Sequence, residues 1–336
     1  MPCSDLQTTA IALYSGGLDS TLACRVVAEQ GIRVAAVKFV SPFFGYDLLA
    51  QKESHIKEVK EAYDINITLV DVTDEYLKML RSPAHGYGKN FNPCIDCKIL
   101  LLTKAREMMP HYNASFLITG EVVGQRPMSQ RHDTLRVIER DSGCEDFLVR
   151  PLCAKLLQPT KPELEGLVDR EQLLDFNGRT RVPQIKLAER YGITDYPSPA
   201  GGCALTDPIL SKRVREYYEQ HHEVLAPDIC LLMVGRHFHL PGGGWLIMGR
   251  REEENKRVAA LYQTGDFLLK LTDRPGPTGL LRYAEKHEDL HFAAGLLMRY
   301  GNKAPNLPKA AHVLFEKDGE STLIMATALD DKVFQS

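Results

Sequence analysis

The residues able to do chemistry begin at Ser15-Gly16-Gly17-Leu18-Asp19-Ser20. They lie between an apolar run from Thr9 to Tyr14 and a segment, Leu18 to Glu29, whose apolar residues fall at helical spacing. A strand, a glycine-rich turn and a helix start make a cradle for phosphate. Backbone N–H groups point out of the turn, and the positive end of the helix dipole faces the same anion. Gly16 and Gly17 let the backbone come close to phosphate, and the hydroxyls of Ser15 and Ser20 add donors. Asp19 is the odd member, because a carboxylate beside phosphates repels them unless Mg²⁺ lies between. No lysine follows the glycines, which excludes the common GxxxxGK[ST] loop. The plain alternative is a strand–helix turn with no ligand.

Cysteines form the second chemical group. Cys94-Ile95-Asp96-Cys97 at a helix start puts two sulfurs on one side, with thiolates favoured by the helix dipole. Cys203 follows the turn Pro199-Ala200-Gly201-Gly202. From spacing alone a redox or persulfide pair, cluster or metal ligands, and plain packing all stay open. Zinc asks for four ligands, and neither His85, Cys144 nor Cys153 stands at a recognisable ligand spacing. Three cysteines without a fourth suit a 4Fe–4S cluster with one iron left open. Cys24 and Cys230 lie in apolar surroundings and read as core, and Cys3 as terminal.

The elements that must position these groups alternate strand and helix over the first 155 residues. Further strands are expected at Ile32–Val40, Ile65–Val72, Phe116–Thr119 and Phe147–Leu152, with a charged amphipathic helix from Asp47 to Tyr63. Repeated βα units predict an α/β fold, a doubly wound, mainly parallel sheet with ligands at the carboxyl ends of its strands. Ser15–Ser20, Lys38–Phe39 and Gly120–Gln125 then share one rim.

Length and composition set outer bounds. A chain of 336 residues exceeds one typical domain. A formal net charge of −3 excludes bulk electrostatic binding of nucleic acid and leaves only local RNA contact. Eight cysteines without secretory features favour thiol or metal chemistry over a disulfide scaffold. No run approaches a membrane span and residues 1–10 are too polar for a secretory signal, so the expected location is the cytoplasm, away from membranes.

The hexapeptide resembles the SGGxDS signature of PP-loop ATP pyrophosphatases. SGGLDS, NPCIDCK (Asn92–Lys98), TGEVVGQRPMSQ (Thr119–Gln130), RPLCAKLLQPTKPE (Arg150–Glu163) and AGGCALTDP (Ala200–Pro208) come in order. Together they resemble the PP-loop tRNA thiouridine synthetases, in particular the group related to tRNA uridine 4-sulfurtransferases. The likeness covers roughly residues 9–208, and Gln125, Ser129 and Gln130 stand closer to the 4-thiouridine group than to the 2-thiouridine enzymes. It implies ATP and Mg²⁺ as reactants, with Ser15, Gly16, Gly17, Asp19, Ser20, Lys38, Phe39, Gly120 and Gln125 at the nucleotide. It further implies a 4Fe–4S cluster on Cys94, Cys97 and Cys203, those cysteines and Asp19 being catalytic. The implied partners are tRNA and a sulfur donor, either sulfide or a cysteine desulfurase.

Typical 4-thiouridine synthetases grip tRNA through an N-terminal THUMP domain, whereas here the loop already stands at Ser15. The RNA grip is therefore expected in the C-terminal block, which resembles the RNA-binding domain of NFACT-type proteins. The expected organisation is a PP-loop domain over 1–155, a helical extension over 156–208 carrying the third cysteine, and a smaller α+β domain over 209–336. Within the extension Thr160–Glu163 reads as a capping box, and Gly178-Arg179-Thr180-Arg181 offers two arginines or a plain solvated loop. Strands are expected at Cys230–Val234, Phe238–Leu240, Trp245–Met248 and Phe267–Leu271, helices at Ser211–Glu219, 252–262 and 282–292, and a hairpin turning at Asp318-Gly319. Arg236, His237, His239, Arg250, Arg251, Asn255, Lys256 and Arg274 are its candidate phosphate contacts, each alternatively a solvated surface group. Competing functions are 2-thiouridine or 2-thiocytidine synthesis by a cysteine persulfide route, a PP-loop ligase acting on a non-RNA substrate, and RNA binding without catalysis.

Overall fold

The computed structural model describes residues 7–198, 203–301 and 308–329. The chain packs into two units, 1–223 and 224–336. The first is built on five parallel strands: β1 (Thr9–Leu13), β2 (Arg33–Val40), β3 (Ile67–Asp71), β4 (Phe116–Thr119) and β5 (Leu148–Val149), in the order β3-β2-β1-β4-β5. Helices α1 (Leu18–Ala28), α2 (Lys52–Tyr63), α3 (Thr73–Arg81), α4 (Cys94–Tyr112) and α5 (His132–Ser142) connect them. Parallel strands buried on both faces carry apolar residues on each. In β1, Ala10 and Ala12 face one apolar cluster with α1, while Ile11 faces the other with α4. The order reverses at β1, so the crevice between the carboxyl ends of β1 and β4 is the topological switch point where such sheets take ligands.

The extension departs from expectation. Leu156 to Arg190, read as largely helical, is mostly turns with a four-residue α6 (Lys161–Leu164) and α7 (Val182–Arg190). The capping box at Thr160 forms as expected, with the Thr160 N–H donating to Glu163 Oε2 at 2.8 Å. The next helix, α8 (Pro208–Gln220), belongs to the first unit.

The second unit holds α9 (Ala226–Leu232) and a six-stranded antiparallel sheet ordered β11-β10-β8-β9-β7-β6. Its strands are β6 (Arg236–His239), β7 (Trp245–Met248), β8 (Phe267–Leu271), β9 (Gly279–Arg282), β10 (Ala310–Lys317) and β11 (Glu320–Thr327). Helix α10 (Glu252–Ala260) follows β7, and α11 (His287–Tyr300) packs Ala293, Ala294 and Leu297 into the sheet's core. The hairpin turns at Asp318-Gly319, both with positive φ, as a two-residue loop between right-twisted strands requires.

Two elements differ from the sequence reading. Cys230–Val234, expected as a strand, falls mostly in α9: Pro227 stands in its first turn and Asp228 accepts the Leu225 N–H at 3.1 Å. Residues 282–292, expected as helix, begin as the end of β9, and α11 starts only at His287. Arg282 is buried there between Asp266 (2.8 Å) and Asp228 (2.8 Å), an ion triad that fixes the strand end. No helix among the described residues is long and apolar enough to cross a membrane.

Candidate active site

The SGGLDS loop leaves β1 and turns at Gly16, whose φ of +85° is in the left-handed region that glycine adopts without strain. Ser15 Oγ lies 3.1 Å from Ser20 Oγ, and Ser20 Oγ donates to the Gly17 carbonyl at 2.8 Å. Gly17 precedes α1 with no side-chain cap, so the first-turn N–H groups stay available to an anion. Beneath the loop the buried Lys38 donates to the Ser15 carbonyl at 2.9 Å. Burial lowers the Lys38 pKa from its ordinary value. Phe39, the next residue on β2, points to the opposite face and packs with Ile11, Val37 and Val72, which leaves only its backbone toward the loop.

Across the crevice, Gly120 ends β4 against the loop itself. A Cβ at Gly120 would stand 2.5 Å from the Asp19 carbonyl carbon and 2.5 Å from the Ser20 nitrogen. The following turn aims Gln125, whose Nε2 donates to Asp19 Oδ2 at 2.7 Å. Ser129 and Gln130 are buried behind it, and the Gly124 N–H donates to the Gln130 carbonyl at 2.7 Å, so the GQ…SQ element braces that turn. Asp19 Oδ1 is buried and has no hydrogen-bond partner among the described residues. A bare carboxylate oxygen in a phosphate cradle fits Mg²⁺.

The CxxC pair opens α4. Asn92 Nδ2 donates to Cys94 Sγ at 3.1 Å, and Asp96 accepts the Ala84 and His85 N–H groups at 2.8 and 3.1 Å. Cys94, Cys97 and Cys203 lie within electrostatic reach of one another. Tyr76 closes the group from α3: it is fully buried, and its hydroxyl lies against Cys97, with Cys203 and Cys94 also in electrostatic reach. Three sulfurs with no carboxylate among them fit an iron–sulfur cluster's donor set, although no group of three ligands closes to metal-binding distance among the described residues. The helix-dipole expectation of ready thiolates is outweighed at Cys97, whose thiol burial pushes up to about 12 despite the Lys98 charge beside it. Burial also raises Cys203.

His85 pairs with Asp141 at 2.9 Å, Cys144 lies in the core under α4, and Cys153 Sγ donates to the Glu121 carbonyl at 3.2 Å. None of these three joins the cysteine group. Cys24 is core as expected; Cys3 and the turn Pro199–Gly202 lie outside the described residues.

Sequence reasoning missed the link between the two groups. Glu121, directly after Gly120, accepts from Arg150 Nε at 3.0 Å and faces Lys98 Nζ at 3.4 Å. Arg150 is buried and also pairs with Glu139. Burial acts to raise the Glu121 pKa, but the Lys98 and Arg150 charges prevail and hold it below the usual carboxylate range. The residue beside Cys97 is thus tied by charge to the strand end that shapes the phosphate loop. Tyr76 gave no signal in the sequence; Glu121 and Arg150 stood inside motifs whose other members drew attention.

In the second unit most candidate phosphate contacts are occupied. Arg274 pairs with Asp273, Asn255 Oδ1 accepts the Thr278 N–H at 2.9 Å, Lys256 pairs with Glu252, and Arg250 donates to the Gly235 carbonyl. Arg236 stacks on Tyr300, while Arg251 is exposed.

Residues 5–156 match the family model described as thiamine biosynthesis protein (ThiI), and residues 235–336 match that of the NFACT protein RNA binding domain. The chain is thus similar to the ThiI family over its N-terminal part and to NFACT RNA-binding domains over its C-terminal part, each match covering less than half of it. Among curated proteins it is 28% identical over 148 residues to a tRNA sulfurtransferase of Marinobacter nauticus, covering 44% of this chain and 29% of that one. It is 30% identical over 127 residues to the tRNA-specific 2-thiouridylase MnmA of Dehalococcoides mccartyi, covering 35% of each. The chain thus spans about a third of the length of these two relatives. A solved 4-thiouridine synthetase–RNA complex with bound ATP aligns with 67% of this chain and 52% of its own, at 20% identity and a TM-score of 0.41.

Two measurements check this geometry. Gly120→Ala is expected to weaken binding of pyrophosphate at the loop by about tenfold or more, ~1.4 kcal/mol, with native circular dichroism; unchanged affinity would mean the close approach does not shape the loop. In the metal-free chain, Cys97 should react with iodoacetamide at pH 8 at least about a hundredfold more slowly than free cysteine, because only the thiolate attacks. Since its pKa is raised, that rate should keep climbing past pH 10; a plateau near pH 9 would contradict the burial.

Proposed function

We propose that this chain is an ATP-dependent tRNA sulfurtransferase that replaces a uridine carbonyl oxygen with sulfur, with 4-thiouridine as product. The observation that carries the reading is the union of a phosphate loop and a three-cysteine group on one unit, linked through Lys98, Glu121 and Arg150. The tRNA sulfurtransferase relatives and the NFACT-type domain favour tRNA as the substrate, captured by the second unit.

In the first step the uracil carbonyl oxygen attacks the α-phosphorus of ATP. The bond to the β-phosphate breaks, and pyrophosphate leaves into the cradle of Ser15, Gly16, Gly17 and Ser20. Oxide is a poor leaving group, and adenylylation turns it into AMP. The protein contributes positioning and charge neutralisation: Asp19, with its open Oδ1, would hold Mg²⁺, which would supply positive charge at the phosphates, and Lys38 lies in reach of the loop. A sulfur nucleophile then adds at the activated carbon and AMP departs.

Cys94, Cys97 and Cys203 would hold a 4Fe–4S cluster, which when bound presents a deprotonated sulfur ligand at its open iron. Tyr76 walls that group from water, and Asn92 orients Cys94. The second reading, favoured by the 2-thiouridylase relative, uses the same cysteines without iron. A persulfide on one attacks the base, a second thiolate cleaves the S–S bond, and a cellular dithiol reduces the resulting disulfide.

Nucleoside mass spectrometry of tRNA from cells lacking the gene tests the proposal. Loss of 4-thiouridine, restored by the wild-type gene but not by Cys203→Ala, is expected. Loss of 2-thiouridine or 2-thiocytidine instead would move the target atom to the second reading. Survival of every thionucleoside in a strain without a redundant enzyme would overturn sulfur transfer.

A further inference from the structure

Arg181 lies outside the residues matched by either family model, and the chemistry above leaves it without a task. Its position is nevertheless built. Residues 177 and 123 form a β-bridge, and the Gly178 N–H donates to the Val123 carbonyl at 2.8 Å, which pins this loop to the turn carrying Gln125. Helix α7 starts immediately after, with Pro183 in its first turn, Gln184 fully buried, and Leu187 and Ala188 in the core shared with α1. The outcome is a guanidinium 3.4 Å from Asp19 Oδ2, delivered from 162 residues downstream.

That pairing is incomplete. Gln125 Nε2 already donates to the same oxygen at 2.7 Å, and Gln184 Nε2 donates to Gln125 Oε1 at 3.2 Å. Asp19 Oδ1, Arg181 Nε and Gln184 Oε1 are all buried without partners among the described residues. A buried polar atom left without a partner destabilises the fold. Asp19 Oδ1 and Arg181 Nε, the two open atoms of one ion pair, mark a site finished by a ligand offering acceptor oxygens to Arg181 and a cation to Asp19. A metal-bound nucleoside polyphosphate offers both, and the planar fork of arginine suits phosphate oxygens.

We infer that Arg181 is a phosphate-binding residue of the nucleotide site, paired with Asp19 in the free chain and turned to a phosphate oxygen when metal-bound ATP enters. The pairing holds the guanidinium at the mouth of the loop and keeps the Asp19 charge neutralised until Mg²⁺ takes it over. The inference rests on the ATP reading of the SGGLDS loop, and its test separates the two.

Equilibrium dialysis of the full chain with radiolabelled ATP plus Mg²⁺, and separately with adenosine, compares wild type with Arg181→Met. ATP affinity is expected to fall at least about tenfold, from loss of a charge-assisted contact, with adenosine affinity and thermal melting unchanged. Equal loss for both ligands would make Arg181 a merely structural brace of α7, and no loss for either would also overturn the assignment. If Arg181→Met fails to fold, Arg181→Lys carries the test: it keeps the charge without the fork and should still lose ATP affinity and spare adenosine. A wild-type chain that binds no ATP would overturn the nucleotide reading and this inference together, whereas ATP binding indifferent to both variants would overturn the inference alone.

Discussion

Between β1 and β4 the backbone of Gly120 comes so close to Asp19 and Ser20 that not even a methyl group fits between them. This approach sets the order of everything around it. It requires β4 to sit beside β1 at the switch point, and it presses the end of one strand onto the first turn of α1. From the same stretch of chain the next residue, Glu121, reaches Lys98 and Arg150, and Gln125 reaches Asp19. Phosphate loop and cysteine helix are thereby held from a single strand end. A shift of that end would disturb both chemical steps.

Desolvation is the second organising force. Lys38, Tyr76 and Glu121 are polar groups taken largely out of water beside the two chemical groups. Glu121 is compensated by two cations, and Lys38 by the Ser15 carbonyl. Asp19 Oδ1 is left incomplete, and it borders the site where the proposed reaction brings a ligand. A buried carboxylate oxygen left open at that position is bonding capacity that an entering ligand can satisfy.

Much of the first unit was legible in the sequence, because its signals are local. SGGLDS carries strand, turn and helix start within a few residues, and the apolar runs of β2, β3 and β4 are bounded by polar turns. Arg181 was not legible as a partner of Asp19, nor Gln184 as a partner of Gln125, since only tertiary packing of α7 on α1 brings them there. The run Cys230–Val234 has no periodicity to separate buried strand from buried helix, and Pro227 with Asp228 decided for helix. Arg282 read as the start of a helix because the two carboxylates that fix it at the strand end stand 16 and 54 positions away.

The central claim is that this loop splits ATP between the α- and β-phosphates in order to activate RNA. Incubating the full chain with α-labelled ATP, Mg²⁺, a sulfur donor (sulfide, or a cysteine desulfurase with cysteine) and bulk tRNA from cells lacking the gene tests it most directly. The account predicts AMP and pyrophosphate in equal amounts, formed only when tRNA is present. ADP and inorganic phosphate as products, or AMP release indifferent to tRNA, would contradict it.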